Sequence, residues 1–239
     1  MSRKSAILGL VIIFLGAATS MAARADYLCY VSTTGSVSNL NLCDITTGET
    51  RTITFFLDAG AISSISVSEA GWPVYFTRPS PDYGRANPTI WSVNLDGSGL
   101  TNLTSIAPDA SVSYTHVAVS PDGTRIAYVA NSLAAPDHYH LFVCSTNGSN
   151  RRQLTFAPGE VCSYPVFLDN TTILFKTAQG FLENYYLINA DGSGLTSLTN
   201  NEVSSPYFPR LGRPMLDQSR SRIIFAQQIQ EIWGYRKWS

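Results

Sequence analysis

Two histidines separated by one residue, His138 and His140, are the first candidates for chemistry in this sequence. On a β-strand both rings would point to the same side of the sheet. With His116 as a third ligand they could hold a zinc ion. No cysteine or carboxylate stands at a spacing that would complete such a site. We therefore interpret the pair as half-exposed histidines at the start of a strand, and we predict neither a bound metal nor a cofactor.

Serine chemistry is the second possibility, because serine is abundant in the chain. However, the sequence contains no Gly-x-Ser-x-Gly segment, which would expose a nucleophilic serine at a sharp turn. Gly97-Ser98-Gly99 and Gly192-Ser193-Gly194 are copies of one turn, and a catalytic residue would not come in two equivalent copies. We predict no catalytic residue. Carboxylates that pair only in space would still allow glycoside chemistry, so a carbohydrate-active enzyme stays open as an alternative.

The two serine-containing turns belong to a repeat that must position any site. Residues 94–104 and 189–199 are nearly identical, and weaker copies occupy 44–54 and 145–155. The corresponding turn glycines are 49, 51 and 44 residues apart. A recurrence near 50 residues built from short strands is typical of a β-propeller. Because no segment after residue 25 has helical periodicity, we predict an all-β propeller of four-stranded antiparallel blades.

The clearest copy of the repeat, residues 117–155, predicts four strands, A to D, in an up-and-down meander with tight turns at 121–123 and 147–148. The units at 65–104, 117–155 and 164–199 look complete. Segment 27–57 supplies strands B, C and D, and segment 206–239 supplies A, B and C. We predict five blades, two of them with three strands; a piece of a longer propeller is the competing interpretation.

The first 25 residues have the pattern of a secretory signal peptide: a basic start, an apolar run at 6–18 and an Ala-x-Ala cleavage site ending at Ala25. We expect a propeller domain at 26–239, located in the periplasm or secreted. Cleavage would leave 13 basic and 17 acidic side chains, a formal charge of −4, which disfavours nucleic-acid binding. No later apolar run is long enough to predict a transmembrane segment.

Four cysteines in an exported chain raise the question of disulfides. Cys29 and Cys43 flank a predicted hairpin turn at nearly equal distance, so they form the candidate disulfide. Cys144 takes a repeat position held elsewhere by Val93 and Ile188, which favours a buried apolar role. A Cys144–Cys162 bridge is not expected, since the two residues belong at opposite ends of a sheet.

The meander also predicts which end of the blades would bind a partner. The A–B and C–D turns are tight and share one end, which we call the short-turn end. The B–C connections (about 78–89, 130–138 and 178–184) and the D–A connections emerge at the other, the long-loop end. Long loops on a rigid scaffold are where binding residues concentrate. The candidate binding residues in these loops are Arg78, Asp82, Tyr83, Arg85, Tyr114, His116, His138, Glu160, Phe181, Glu183 and Tyr207.

The repeat resembles the propeller repeats of the TolB family, the periplasmic component of the Tol–Pal envelope system. The resemblance rests on residues 120–128, Ser-Pro-Asp-Gly-Thr-Arg-Ile-Ala-Tyr, and on the duplicated Asp-Gly-Ser-Gly-Leu-Thr-x-Leu-Thr segments at 96–104 and 191–199. It covers residues 27–239. The repeat is also similar to propeller domains of tricorn-like and prolyl-oligopeptidase-type proteases and of oligogalacturonate lyases. We expect no counterpart of the α/β domain that precedes the TolB propeller, because the predicted signal peptide leads directly into the repeats.

These observations predict an exported, non-enzymatic propeller that presents a rigid face to a protein or peptide of the cell envelope. The alternatives are a carbohydrate-active propeller enzyme, such as a polyuronate lyase or a glycosidase, and a partial propeller without independent function. The sequence alone identifies neither the partner nor the oligomeric state.

Overall fold

The computed structural model describes residues 27–68, 73–79, 87–104, 112–132, 135–157, 160–180, 182–199, 207–217, 222–225 and 227–231. Within these ranges every regular element is a β-strand, which confirms the all-β class. In this part of the chain there is no helix with the length and hydropathy needed to cross a membrane. The predicted signal peptide at 1–25 lies outside the described residues.

A three-stranded sheet, counted as the first blade, is followed by three complete blades, the second to the fourth, each of four strands in sequence order. This arrangement confirms the predicted meander and the missing strand A of the first unit. The strands, sheet by sheet, are β1 (Tyr27–Thr34), β2 (Val37–Asp44) and β3 (Thr50–Thr52); β4 (Ser64–Val67), β5 (Val74–Pro79), β6 (Pro88–Val93) and β7 (Thr101–Asn102); β8 (Tyr114–Val119), β9 (Arg125–Ser132), β10 (Ala135–Ser145) and β11 (Arg152–Gln153); and β12 (Val161–Phe167), β13 (Thr172–Gln179), β14 (Leu182–Asn189) and β15 (Thr196–Ser197).

The last segment differs from the predicted three strands. β16 (Tyr207–Leu211) pairs with β19 (Gln227–Glu231), and between them β17 (Met215–Leu216) pairs with β18 (Ile223–Ile224). The nested pairs form one interrupted hairpin that corresponds to strands A and B. The sequence places strand C at 231–235, because these residues resemble 89–93, but Glu231 ends the second arm of this hairpin. Residues 232–239 lie outside the described part. Among the described residues no ladder joins this hairpin to β1–β3, so five blades and ring closure stay predictions.

The two nearly identical segments at 94–104 and 189–199 form tight turns with the same hydrogen bonds. In each, an aspartate, Asp96 or Asp191, accepts hydrogen bonds from the backbone and hydroxyl of the serine two residues later. Gly99 has a φ of +65°, and a Cβ there would lie 2.9 Å from Asn94 Nδ2. Gly194 has the same conformation and the same close approach to Asn189. The motif is therefore turn chemistry at the short-turn end.

A threonine at the end of each repeat joins strand D to strand C. In four successive sheets its hydroxyl oxygen accepts the backbone N–H of a strand C residue, at 2.9 to 3.3 Å. This contact replaces a ladder hydrogen bond at the point where strand D ends. The four threonines are Thr54, Thr104, Thr155 and Thr199.

The blades pack face to face through a series of apolar cores. Tyr75 and Phe76 are adjacent in β5 but belong to different cores, because successive side chains of a strand point to opposite faces. The strands A of neighbouring blades lie side by side: Ser64 Oγ in β4 accepts the backbone N–H of Val117 in β8 at 3.0 Å. The strands A are therefore the inner strands, and the short strands D form the outer edges.

The predicted Cys29–Cys43 disulfide is wrong. In the β1–β2 ladder Cys29 lies opposite Leu42, whereas Cys43 lies opposite Leu28. The offset of one residue places the two thiols on opposite faces of the sheet. Both cysteines are free, as are Cys144 and Cys162, and burial raises the pKa of Cys29 to about 12.

Two of the three predicted B–C loops are also wrong. In the third blade Ser132 pairs with Ala135, and in the fourth Gln179 pairs with Leu182, so strand covers most of 130–138 and 178–184. Cross-strand pairing extends these hairpins past the apolar residues from which the strands were predicted. In the third and fourth blades the length at the long-loop end therefore comes from the D–A connections; among the D–A connections of the chain, 53–63 is described throughout.

Candidate functional site

Two inner strands carry a β-bulge at the same repeat position. The β8–β9 register skips a residue between Thr115 and Val117, and His116 has a φ of +46°. The β12–β13 register skips between Ser163 and Val166, and Tyr164 has a φ of +50°. Each residue lies three positions before the last residue of its strand. Bulky residues rarely adopt positive φ, and such conformations concentrate at functional sites.

The bulges bring two rings together across neighbouring blades. The His116 and Tyr164 ring centroids are 4.5 Å apart with an edge-to-face angle of 77°. Both residues are half-buried. Because bulges re-aim side chains, the pair lies midway along the inner strands of the third and fourth blades, where these strands meet.

An ion pair lies beside these rings. Lys176 Nζ in β13 is 3.2 Å from Glu183 Oε2 in β14 and 5.3 Å from the Tyr164 ring centroid. Lys176 also donates a hydrogen bond to the Leu211 carbonyl at 3.1 Å, and Glu183 accepts one from the Leu211 backbone N–H. The pair thus fixes β16 to the fourth blade by satisfying both backbone groups of one residue.

Arg213 lies two residues after Leu211, the residue that the ion pair holds. The Tyr185 hydroxyl donates a hydrogen bond to the Gly212 carbonyl, which holds the backbone beside it. Arg213 itself is exposed. We call His116, Tyr164, Lys176, Glu183 and Arg213 the inner-strand cluster.

The electrostatics of the cluster keep its histidine neutral. Burial, together with the positive charges of Arg213 and Lys176, lowers the pKa of His116 to about 4. Burial of part of the side chain also lowers the pKa of Arg213, although the residue as a whole is exposed, and Arg213 remains a cation at neutral pH. The cluster therefore contains one neutral ion pair, one neutral imidazole and one additional positive charge.

The structure separates the sequence-predicted binding residues. His116 and Glu183 belong to the inner-strand cluster, although Glu183 is buried and paired rather than exposed in a loop. Tyr114 is buried in β8, where its ring lies 5.8 Å from that of Tyr128. Glu160 is half-buried just before β12, and burial raises its pKa.

Arg78 was predicted as a loop residue but is buried inside β5, with 1% of its side chain exposed. It forms an ion pair with Asp58 at 2.9 Å, and its guanidinium carbon lies 3.6 Å from the centroid of the Phe56 ring. Arg78 therefore fixes the D–A connection against the second blade.

The remaining predicted residues contribute less. Tyr207 lies in β16, and Asp82, Tyr83, Arg85 and Phe181 lie outside the described residues. His138 and His140 have ring centroids 6.4 Å apart, and His140 is buried. Within the described ranges no three His, Cys, Asp or Glu side chains are grouped to hold a metal ion. The absence of a metal in the whole protein stays a prediction.

Three members of the cluster were missed by sequence reasoning. Tyr164 could have been found, because it occupies the repeat position of His116, three residues before the end of an inner strand. Lys176 is a single charge that ends the apolar run at 173–175 of β13, which is a weaker signal. Nothing in the sequence singles out Arg213, since its place depends on how β16 attaches to the fourth blade.

No family model and no curated protein matches this chain. Solved structures do resemble it. TolB from Acinetobacter baumannii has a TM-score of 0.58 at 18% identity, over 86% of this chain and 52% of TolB. An oligogalacturonate lyase in complex with manganese has a TM-score of 0.56 at 13% identity, over 79% and 53% of the two chains. A puromycin-hydrolyzing peptidase from Mycobacterium tuberculosis has a TM-score of 0.55 at 15% identity, over 84% and 31%.

At these identities the resemblance shows a TolB-like β-propeller fold and no more. The chain spans about half the length of TolB and of the lyase. Because the similar structures include a lyase and a peptidase beside TolB, fold likeness does not decide whether this protein is an enzyme.

Proposed function

We propose that this protein is an exported, non-enzymatic propeller that binds a protein or peptide segment of the cell envelope at its long-loop end. The inner-strand cluster is the observation that carries this function. It combines two aromatic rings, an exposed arginine and two bulges in positive φ, and aromatic residues with arginine dominate the energetics of protein interfaces.

The scaffold suits binding by rigid presentation. The inner strand β8, which carries His116, lies between two apolar cores, and β12, which carries Tyr164, packs into one of them. The Lys176–Glu183 pair and the Tyr185 hydroxyl likewise hold the backbone of Leu211 and Gly212, the two residues that precede Arg213. A site that is already ordered loses little conformational entropy when a partner binds.

A carbohydrate-active enzyme is the second candidate, favoured by the fold likeness to the oligogalacturonate lyase. Such an enzyme would need an acidic and a basic side chain, or a metal ion, near the inner-strand cluster. Of the cluster side chains, the carboxylate of Glu183 is already engaged by Lys176 and by the Leu211 backbone. Activity on oligogalacturonate, measured as formation of unsaturated product, would favour this candidate over the first.

Selection from a random-peptide display library against the purified protein tests the proposal. We expect peptides whose affinity falls at least about tenfold in the Tyr164→Ala variant, because loss of one interface aromatic anchor typically costs about 2 kcal/mol. Leu195→Ala is the matched control, since Leu195 is an exposed apolar residue beside the turn at the short-turn end. A failure to select any peptide, or peptides that respond to Leu195→Ala and not to Tyr164→Ala, would contradict the proposal.

A further inference from the structure

We propose that the inner-strand cluster recognises a carboxylate group of a bound peptide, with Arg213 as the counter-ion and His116 and Tyr164 as neutral hydrogen-bonding partners. This inference rests on the proposed function and specifies it further, because it names the chemistry by which the long-loop end selects its partner.

The charge balance of the cluster leaves one positive group unmatched. Lys176 and Glu183 neutralise each other, and both also bind the backbone of Leu211. Arg213 makes no ion pair or hydrogen bond with any residue in the described part of the chain, and it is exposed. An arginine guanidinium presents two parallel N–H donors that match the two oxygens of a carboxylate. An anion is therefore the ligand that this position fits.

Two neutral groups next to Arg213 can add hydrogen bonds to the same anion. His116 Nδ1 lies 3.2 Å from the Thr115 hydroxyl oxygen, which leaves Nε2 available to an outside partner. Tyr164, whose ring meets that of His116, lies with its ring centroid 5.3 Å from Lys176 Nζ, and Lys176 holds the Leu211 carbonyl two residues before Arg213. A tyrosine hydroxyl is a good donor to a carboxylate. Three donors of different kinds thus converge on one region.

The backbone of the two ring residues is held in an unfavourable conformation. Positive φ at His116 and Tyr164 is energetically unfavourable for residues that carry a Cβ. Both bulges occur at the same repeat position in neighbouring blades, so they place two rings side by side at one level of the inner strands. We attribute this cost to the need to direct both rings toward a shared ligand.

The observations favour a peptide over a polyuronate as the source of the carboxylate. A polyuronate carries one carboxylate on every sugar and would need a row of counter-ions. The inner-strand cluster provides a single unmatched cation beside two aromatic rings. This combination suits one carboxylate flanked by the less polar groups of a peptide.

Fluorescence anisotropy with defined peptides tests the inference on the whole protein. The probes are three labelled hexapeptides: one with five glutamines, a single glutamate and an amidated C-terminus, a hexaglutamine with a free C-terminus, and an amidated hexaglutamine as the neutral reference. We expect one or both carboxylate-bearing probes to bind at least about tenfold more tightly than the neutral reference. Which probe binds tells whether a side chain or the chain terminus supplies the carboxylate.

The Arg213→Gln variant should remove that preference, whereas Arg125→Gln should leave it unchanged. Arg125 is also exposed but lies at the short-turn end, so it controls for a general loss of positive charge. Because Arg213 is exposed, we expect its variant to keep the melting temperature of the unchanged protein. Tyr164→Phe provides a second variant that keeps the ring and removes the hydroxyl, and we expect a smaller loss of affinity.

Equal binding of carboxylate and neutral probes, or equal binding by Arg213→Gln and the unchanged protein, would overturn the inference. Displacement of the peptide probes by trigalacturonate at a lower concentration than the unlabelled single-glutamate peptide would assign the site to a uronate and overturn the inference as well. Display-selected peptides that need Tyr164 but not Arg213 would leave the proposed function standing while the carboxylate inference fails.

Discussion

At the scale of single residues, the inner-strand cluster depends on charges and rings whose roles differ sharply with burial. Lys176 and Glu183 are buried and hold β16 on the fourth blade, whereas Arg213, only two residues beyond Leu211, is exposed and unmatched among the described residues. Charged side chains therefore attach β16 to the fourth blade where they are buried, and in our proposal an exposed one recognises the ligand. Sequence reasoning placed Glu183 in a binding loop because it could not distinguish these two situations.

Replacement of Glu183 by Gln should destabilise the protein by about 3 kcal/mol. The change leaves the Lys176 ammonium buried without a counter-charge, and breaking a buried pair typically costs 3–5 kcal/mol. Urea unfolding followed by tryptophan fluorescence measures the effect, with Arg125→Gln as the control for loss of one surface charge. A difference below about 0.5 kcal/mol would show that the pair does not hold the last hairpin.

His116 should make the protein less stable as the pH falls below neutrality. An unfolded histidine takes up a proton with a pKa of about 6.5, but in the folded protein burial and nearby cations lower the pKa of His116 to about 4. Between these values the unfolded chain binds more protons, so stability falls as the pH is lowered through the window.

The His116→Asn variant isolates this effect, because asparagine does not titrate. From pH 7 to pH 4.5 we expect the unchanged protein to lose on the order of 2 kcal/mol more unfolding free energy than the variant. Urea unfolding at the two pH values measures the difference. Identical losses in both proteins would mean that His116 titrates normally and is not enclosed as described.

At the scale of elements, the repeat made strands, turns and the inner and outer positions predictable. The turns at 96–97, 122–123, 147–148 and 191–192 follow from Asp, Asn and Gly chemistry, and strand B is apolar on both faces because each blade packs between two others. What failed depends on register or on distant attachment. The pairing of β1 with β2 places Cys29 and Cys43 one residue out of register, so the two thiols do not face each other. The sequence predicts Arg78 in a loop, since the ion pair that buries it is formed with Asp58, 20 residues away, and cannot be recognised from local spacing.

The repeated threonines give an element-scale prediction. Thr155→Val keeps the size of the side chain but leaves the Leu141 N–H without its acceptor, since Thr155 Oγ1 lies 2.9 Å from that nitrogen. A buried donor without a partner costs about 1–3 kcal/mol, so thermal unfolding should shift downward by several degrees. Thr196→Val, on the outer strand of the next blade and exposed, is the matched control. Equal shifts in both variants would contradict the role assigned to the threonine contact.

At the scale of the whole molecule, the protein is a propeller in which consecutive blades share apolar cores and inner strands meet directly. Its similarity to TolB and to propeller enzymes, over about half of their length, supports the architecture and leaves the activity open. The proposed function therefore depends on one group of residues that is not repeated in every blade. The His116 and Tyr164 bulges, the Lys176–Glu183 pair and Arg213 occur together only between the third and fourth blades and the last hairpin within the described residues.

Hydrogen exchange of the protein with and without a display-selected peptide is the strictest test of a binding site at the inner-strand cluster. We expect the peptide to slow exchange at 112–117, 161–166 and 211–217, the segments that carry the cluster, and to leave the turns at 94–99 and 189–194 unchanged. Protection confined to those turns, or to the outer strands D, would contradict a binding site at the long-loop end.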